Sequence, residues 1–114
     1  NIVGGGLNRV NLSISDEQAV ALIRSVNIDL AFVTPSGVSL ESGFTCGNND
    51  ECELKKSVVK KARCVIVLMD HTKFDKSMPY TFAKIEHVNT IICDEAPPSD
   101  MLAACQAQGI EILW

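Results

Sequence analysis

The residues with the clearest capacity for chemistry are Asp70-His71-Thr72-Lys73-Phe74, which directly follow the uninterrupted apolar run 64–69. A carboxylate in that position can accept hydrogen bonds from sugar hydroxyls, and Lys73 can meet a phosphate as a point charge. His71 alone is more typical of a surface or structural histidine than of a catalytic base. From the residues alone, a ligand site and a solvated polar loop are equally consistent with the segment.

A second candidate is the run Gly4-Gly5-Gly6, which follows the strand-like pair Ile2-Val3. Glycines after a strand let backbone amides approach a phosphate closely. The run lacks the GxGxxG spacing and has no helix starting directly after it, which argues against a dinucleotide site. A plain tight turn is as consistent with it as a ligand loop.

The cysteines do not indicate a metal or redox site. The five are Cys46, Cys52, Cys64, Cys93 and Cys105. They form no CxxC pair and no Cys/His cluster at ligand spacing, so neither zinc nor a disulfide framework is predicted. Cys64 and Cys93 begin and end apolar runs, where a buried thiol acts as a small hydrophobe. This usage fits a reducing cytoplasm. No serine or cysteine nucleophile has an evident histidine partner, so acyl transfer has no support.

The net charge of this chain argues against direct binding to nucleic acid. The formal net charge is −4 and the sequence pI about 5.0, so no electrostatic footprint for DNA is present. Any DNA binding must therefore come from another part of a longer protein. The basic residues crowd the region 55–63, where they suit the carboxyl end of a predicted helix and are expected to form mostly a solvated face. Within that helix, Glu51 and Lys55 form a favourable i,i+4 pair.

Length and composition predict one compact domain. The chain has 114 residues, of which 46% are hydrophobic and 21% charged, enough for a single core but not for two. No apolar run approaches the roughly 18 residues needed to cross a bilayer, and no signal peptide is evident. Because the chain starts at Asn1 without a methionine, we expect it to be part of something longer.

Short apolar runs alternate with helical periods, a pattern typical of an α/β fold with an open parallel sheet and flanking helices. Strands are predicted at 30–34, 64–69, 90–93 and 111–113. Helices are predicted from Ser15, from Asn48 or Asn49 to about Ala62, and from Ser99 to Gln108, with Gly109 closing the last. The 64–69 strand is expected to be central and covered on both faces, and residues 37–49 to be a loop or weakly extended.

This topology has a consequence for the site. In an open α/β sheet, ligands bind beyond the carboxyl ends of the strands. Those ends carry Gly4-Gly5-Gly6, Ser36-Gly37, the segment 70–73 and Asp94-Glu95. Polar residues and glycines therefore collect on one rim, which is the predicted site.

The order of these pieces resembles the sensor domain of the DeoR family of bacterial repressors. The matching pieces are 29–32, Gly37-Val38 with Gly43-Phe44-Thr45, the helix opening at Glu51 to Lys55, the segment 67–74 and the strand end 91–94. The Asp-x-x-Lys-Phe element after an apolar strand is the most specific of them, and Gly4-Gly5-Gly6 is similar to the family's Gly-Gly turn.

The resemblance implies a fold similar to ribose-5-phosphate isomerase and the glucosamine-6-phosphate deaminases, truncated at its amino end, with residues 1–114 as part of one sensor domain. It implies a phosphorylated sugar as the ligand, no cofactor, self-association, and DNA binding through an absent N-terminal helix-turn-helix domain. Site roles carry over to Lys73 as the phosphate or sugar contact and to Asp70 as its polar partner. The pocket would be shaped by Gly5, Gly37 and Gly43, with Glu51 and Lys55 in support.

Two alternatives to a non-catalytic sensor remain open. One is a sugar-phosphate isomerase or deaminase, for which Asp70 and Glu41 are candidate general bases, although no paired acid and base can be identified. The other is an interaction domain that has lost its ligand.

Overall fold

The structure is a computed structural model that describes residues 9–11 and 27–114. The predicted Ile2-Val3 strand, the Gly4-Gly5-Gly6 turn with Gly5, and the predicted helix from Ser15 lie outside the described residues.

A five-stranded parallel sheet forms the centre of the fold, as predicted. Its strands are β1 (Arg9–Asn11), β2 (Ile28–Val33), β5 (Ala62–Leu68), β7 (Thr90–Ile92) and β8 (Glu111–Leu113), in the spatial order β1-β2-β5-β7-β8. All four strand pairs are parallel. The four strands predicted from apolar runs are therefore confirmed, with bounds shifted by at most two residues, whereas β1 was not predicted.

A second, three-stranded antiparallel sheet corrects the prediction of a loop or weakly extended segment at 37–49. It contains β3 (Gly37–Ser39), β4 (Gly43–Cys46) and β6 (Tyr80–Ala83), in that order. The strands are only three or four residues long, and β4 obtains its outer partner from residues more than 30 positions away. So short a pattern carries no local periodicity, which explains why the sequence did not reveal it.

Two α-helices flank the parallel sheet. Helix α1 (Asn49–Lys61) begins at Asn48, whose side chain accepts a hydrogen bond from the Glu51 amide, as predicted. Helix α2 (Ser99–Ala107) is preceded by Pro98, so the prediction of Ser99 as its capping residue was wrong. Two short 3₁₀ turns, His71–Lys73 and Ile85–His87, follow β5 and precede β7.

The core lies on one face of the parallel sheet. Alternate strand residues in register (Ala31 with Val65, Val67 with Ile91) join Leu54 and Val58 of α1 and Met101 and Cys105 of α2 in one buried cluster. Strand β5 is central, as predicted, and its two faces differ in the degree of burial. Val65 and Val67 are buried, whereas Cys64, Ile66 and Leu68 are only partly buried.

The cysteines mostly behave as small hydrophobes. All five are free, and all but Cys64 are buried. Burial raises the pKa of Cys93 and Cys105, and it raises that of Cys46 to about 12, so these thiols stay protonated at neutral pH. The predicted burial of Cys93 is confirmed, whereas Cys64 is only partly covered. Among the described residues, neither helix has the length and apolar character to cross a bilayer.

Candidate functional site

The carboxyl ends of the parallel strands lie along one edge of the sheet, and we call the residues that follow them the rim: Thr34 to Ser36 after β2, Met69 to Lys73 after β5, and Cys93 to Glu95 after β7. Because β5 lies between β2 and β7, the loop after β5 is at the centre of this edge. Asp70 and Lys73, the leading candidates from the sequence, are both on that central loop.

Asp70 shapes this loop. Its Oδ1 accepts a hydrogen bond from the Thr72 amide at 2.9 Å and another from the Thr72 hydroxyl, which closes the 3₁₀ turn His71–Lys73. These hydrogen bonds lower the pKa of Asp70, so it is a carboxylate at neutral pH. The second oxygen, Oδ2, is 3.7 Å from the Lys73 ammonium, and the Lys73 side chain is one-third exposed. The structure therefore brings Asp70 and Lys73 together, with the lysine accessible to a ligand.

His71 connects the central loop to the end of β7. Its backbone amide donates to Asp94 Oδ1 at 2.7 Å, and its Nδ1 is 3.0 Å from both Asp94 Oδ2 and Glu95 Oε2. The interpretation of His71 as a surface or structural residue agrees with these contacts, since it links two loops. Sequence analysis placed both loops on the rim but did not identify this bridge.

The hydrogen bond between His71 and Asp94 shifts the pKa of both side chains. The pKa of the His71 imidazole is raised above 6.5, chiefly by its hydrogen bond with Asp94 and further by the nearby carboxylates of Glu95 and Asp70. The same hydrogen bond lowers the pKa of Asp94 from 3.8 to about 2. At mildly acidic pH the pair is therefore an imidazolium and a carboxylate.

These shifts predict a pH window for the bridge. A raised histidine pKa stabilises the fold fully below pH 6.5 and loses that contribution as the pH rises through the folded-state pKa. The lowered Asp94 pKa stabilises the fold above pH 3.8 and loses that contribution as the pH falls towards 2. The bridge should be strongest between pH 3.8 and 6.5.

Proton NMR titration of the two histidine rings tests this prediction, with His87→Gln assigning the resonances. We expect the His71 midpoint to lie above 6.5 and to fall in Asp94→Asn, because the substitution removes the acceptor's charge. A midpoint at or below 6.5, unchanged in Asp94→Asn, would contradict the bridge.

His71, Asp94 and Glu95 are also the one group in the described residues whose donor atoms, all within 4.8 Å of one another, could hold a metal ion. All three side chains are exposed, and both carboxylates already contact Nδ1 of His71. A cation would have to replace the shared proton, so the arrangement serves as a hydrogen-bonded bridge in its present form.

The other side of the central loop is held by the β3–β4 hairpin. Val38 forms a parallel bridge with Phe74, and the Ser39 hydroxyl lies 3.0 Å from that of Ser77. The Met78 amide donates to Thr45 Oγ1 at 2.9 Å. The segment carrying Lys73 is thus fixed between the hairpin and β7.

The two described candidate glycines are packing positions. A Cβ on Gly37 would lie 2.6 Å from the Lys76 carbonyl oxygen, so only glycine lets the loop pack this closely. Gly43 has φ +76° at the turn of the hairpin, and its Cβ would lie 2.5 Å from the Ala83 carbonyl oxygen. Both shape the hairpin that supports the central loop, and Gly37 directly precedes Val38, which pairs with Phe74 next to Lys73.

Glu51 and Lys55 form the predicted i,i+4 pair, with Nζ 2.7 Å from Glu51 Oε1. Lys55 is only 2% exposed, in contrast to the solvated face expected for most of the basic cluster. Its ammonium also donates to the Thr34 carbonyl at the end of β2 and lies 5.2 Å from the centre of the Phe82 ring. Lys55 therefore joins α1 to the rim, and it is too deeply buried to contact a ligand.

The chain is similar in sequence to several bacterial transcriptional regulators and repressors. The chain is similar to a putative sgc region transcriptional regulator of Escherichia coli K12, with 29% identity over 111 residues covering 97% of the chain. It is 29% identical over 112 residues to a putative aga operon transcriptional repressor of E. coli O157:H7, covering 98% of the chain. It is 30% identical over 111 residues, 97% of the chain, to the HTH-type transcriptional regulator IolR of Bacillus subtilis.

The chain spans 42% to 44% of the length of these three relatives. The family model of the DeoR C-terminal sensor domain matches residues 1–95, which include β2, α1, the central loop and the end of β7. This match covers most of the 114 residues, and it shows that the chain belongs to the family of DeoR C-terminal sensor domains.

Proposed function

We propose that residues 1–114 are part of one sensor domain that binds a phosphorylated sugar and so modulates DNA binding by a longer transcriptional regulator. The observation that carries the proposal is the partly exposed Lys73 side chain on a central rim loop of a DeoR-family sensor domain. The relatives compared above are named as regulators or repressors, and a deoxyribose operon repressor of E. coli K12 is also similar, at 27% identity over 86 residues, 75% of the chain and 34% of that repressor.

In this proposal Lys73 meets the phosphate and Asp70 accepts hydrogen bonds from sugar hydroxyls. The rim carries three carboxylates, Asp70, Asp94 and Glu95, so an anionic ligand is repelled from the β7 end. The phosphate should therefore approach Lys73 from the side of the hairpin, where Gly37 and Gly43 support the loop. Gly5 is proposed as a further contact, and Glu51 and Lys55 as supports.

DNA binding is assigned to a part of the regulator outside this chain. The net charge of −4 disfavours a direct DNA contact. The relative named as HTH-type is more than twice as long as the stretch that this chain matches. Self-association, which the resemblance implies, is a proposal for the longer protein.

We propose no catalytic role for Asp70. A general base works best when its pKa lies near the working pH, whereas hydrogen bonds from Thr72 hold the pKa of Asp70 below its ordinary value. Asp70 is therefore a better acceptor for hydroxyl groups than a base for isomerisation.

A thermal-shift assay against a panel of sugar phosphates tests the proposal. A panel member at about 100 times its Kd should stabilise the chain by about 2.7 kcal/mol, which is a rise in Tm of about 10 °C. Lys73→Gln should weaken binding about tenfold and halve that stabilisation, since a charge-assisted contact to phosphate is lost.

Lys76→Gln is the matched control, because it removes the same charge from an exposed position on the neighbouring segment. Equal losses in both variants would show only a general charge effect and would contradict the role of Lys73. No shift with any sugar phosphate, in this chain and in the full-length regulator, would refute the sensing proposal. Turnover of ribose 5-phosphate that Asp70→Asn abolishes would support the isomerase instead.

A further inference from the structure

A groove runs along the second half of α1, at the end of the sheet opposite the rim. It consists of two adjoining cavities of about 560 and 480 Å³, and Lys56 and Lys60 line both. Its position follows from the chain path, because α1 ends at Lys61 directly before β5 begins and His87 lies just before β7. The groove is therefore separate from the site containing Lys73.

The floor of the smaller cavity is apolar and firmly held. It is formed by Val59 and Phe82, and Phe82 is only 4% exposed. The Phe82 ring packs against Phe44, with 6.1 Å between ring centres, and the buried Lys55 ammonium covers it at 5.2 Å. Because Phe82 is covered in this way, the apolar surface of the floor that is open to a ligand is chiefly that of the partly buried Val59.

His87 supplies a directed donor at the wall of the smaller cavity. Its Nδ1 accepts a hydrogen bond from the Lys84 amide at 3.1 Å within the 3₁₀ turn Ile85–His87. Because Nδ1 is an acceptor, the proton of the neutral ring is on Nε2. His87 is exposed and lines the cavity, so Nε2–H is the ring donor with which a ligand in the cavity would form a hydrogen bond.

The charges of the groove favour an anion. Lys56 and Lys60 are one helical turn apart on the same face, and Lys61 adjoins the larger cavity. Two carboxylates lie close by, Glu86 beside His87 and Glu53, which pairs with Lys56 at 3.3 Å. Both members of that pair are about half exposed, so a ligand can replace Glu53 at little cost. Neutralising the helix dipole explains basic residues in the last turn, but it does not explain the apolar floor or the oriented histidine.

We propose that this groove is a second ligand site, which binds a small organic anion. The acidic group, a phosphate or a carboxylate, lies between Lys56, Lys60 and Nε2 of His87, and the apolar part of the ligand lies on Phe82 and Val59. The smaller cavity, of about 480 Å³, is half open to solvent and has room for a small organic anion.

Phenyl phosphate is the probe for this site, followed by ¹H–¹⁵N NMR titration of the chain. We expect saturable shifts at Val59, Lys60 and His87, with Kd raised about fivefold by Lys60→Gln and by His87→Gln. Benzoate in place of phenyl phosphate distinguishes a carboxylate from a phosphate site. Inorganic phosphate should bind more weakly because it lacks the apolar part, and benzyl alcohol should not bind because it lacks the charge.

Lys76→Gln is the control, since it removes one exposed charge away from the groove, and it should leave the Kd for phenyl phosphate at the groove unchanged. Circular dichroism checks that every variant is folded. Shifts confined to the rim, equal losses in Lys60→Gln and Lys76→Gln, or an absence of saturable shifts would each overturn the proposal. Failure of sugar phosphates to bind the rim would leave this result unaffected.

Discussion

Replacing Gly43 with alanine is expected to destabilise the protein by about 3 kcal/mol and to lower Tm by about 12 °C. Two costs add at this position. A residue with a Cβ is strained at φ +76°, by about 1 kcal/mol, and the new methyl group would lie 2.5 Å from the Ala83 carbonyl oxygen. That oxygen belongs to strand β6, so relief of the overlap would separate β4 from β6.

Gly109→Ala provides the matched control for this measurement. Gly109 has nearly the same φ, +73°, but no atom lies within 4 Å of the position of its Cβ. It should therefore cost only the backbone strain of about 1 kcal/mol. Urea denaturation of both variants separates the two costs. Equal losses of stability would show that β6 moves away without penalty, and that Gly43 is required only for its backbone conformation.

The parallel sheet and α1 were predictable because each leaves a local signal. Residues 64–69 are continuously apolar, as a central parallel strand requires, and Asn48 stands where a helix cap is needed. The alternation of strands and helices also predicted that Asp70, Lys73 and Asp94 lie on one rim. These inferences depend on patterns within about 15 residues, where sequence is most informative.

The small sheet was not predictable in this way. Strands β3 and β4 are too short for a periodic pattern. The second partner of β4 is β6, which lies more than 30 residues further along the chain, after the central loop of the rim. The bridge from His71 to Asp94 and Glu95 depends likewise on β5 and β7 being neighbours in space. Contacts of this kind are fixed by tertiary packing, on which local propensity carries no information.

Lys55 shows the same limit for a single residue. Its spacing from Glu51 predicted the ion pair, but four further basic residues nearby made a solvated position the natural expectation. Burial of the ammonium depends on Thr34, which directly follows β2, and on Phe82 of β6. The sequence thus identified the pair correctly and could not show that one member is inside the protein.

Replacing this buried lysine with methionine is expected to cost about 2 kcal/mol of stability and about 8 °C in Tm. Methionine retains an apolar side chain of similar length, so the loss is mainly electrostatic. The Glu51 carboxylate and the Thr34 carbonyl would lose the ammonium that joins α1 to the end of β2. Glu51 is 38% exposed and can turn towards water, which keeps the cost below that of a fully buried ion pair.

Lys56→Met is the matched control, because Lys56 is the next residue of the same helix and pairs with Glu53 at the surface. That variant should change stability by no more than about 0.5 kcal/mol. Comparing Glu51→Gln, Lys55→Met and the double variant then isolates the coupling between the two side chains, expected at about 1 kcal/mol. If Lys55→Met is as stable as the unmodified chain, the free-energy cost of removing the ammonium from water equals the stabilisation that its three partners provide. The lysine would then hold α1 against the rim without adding to the stability of the fold.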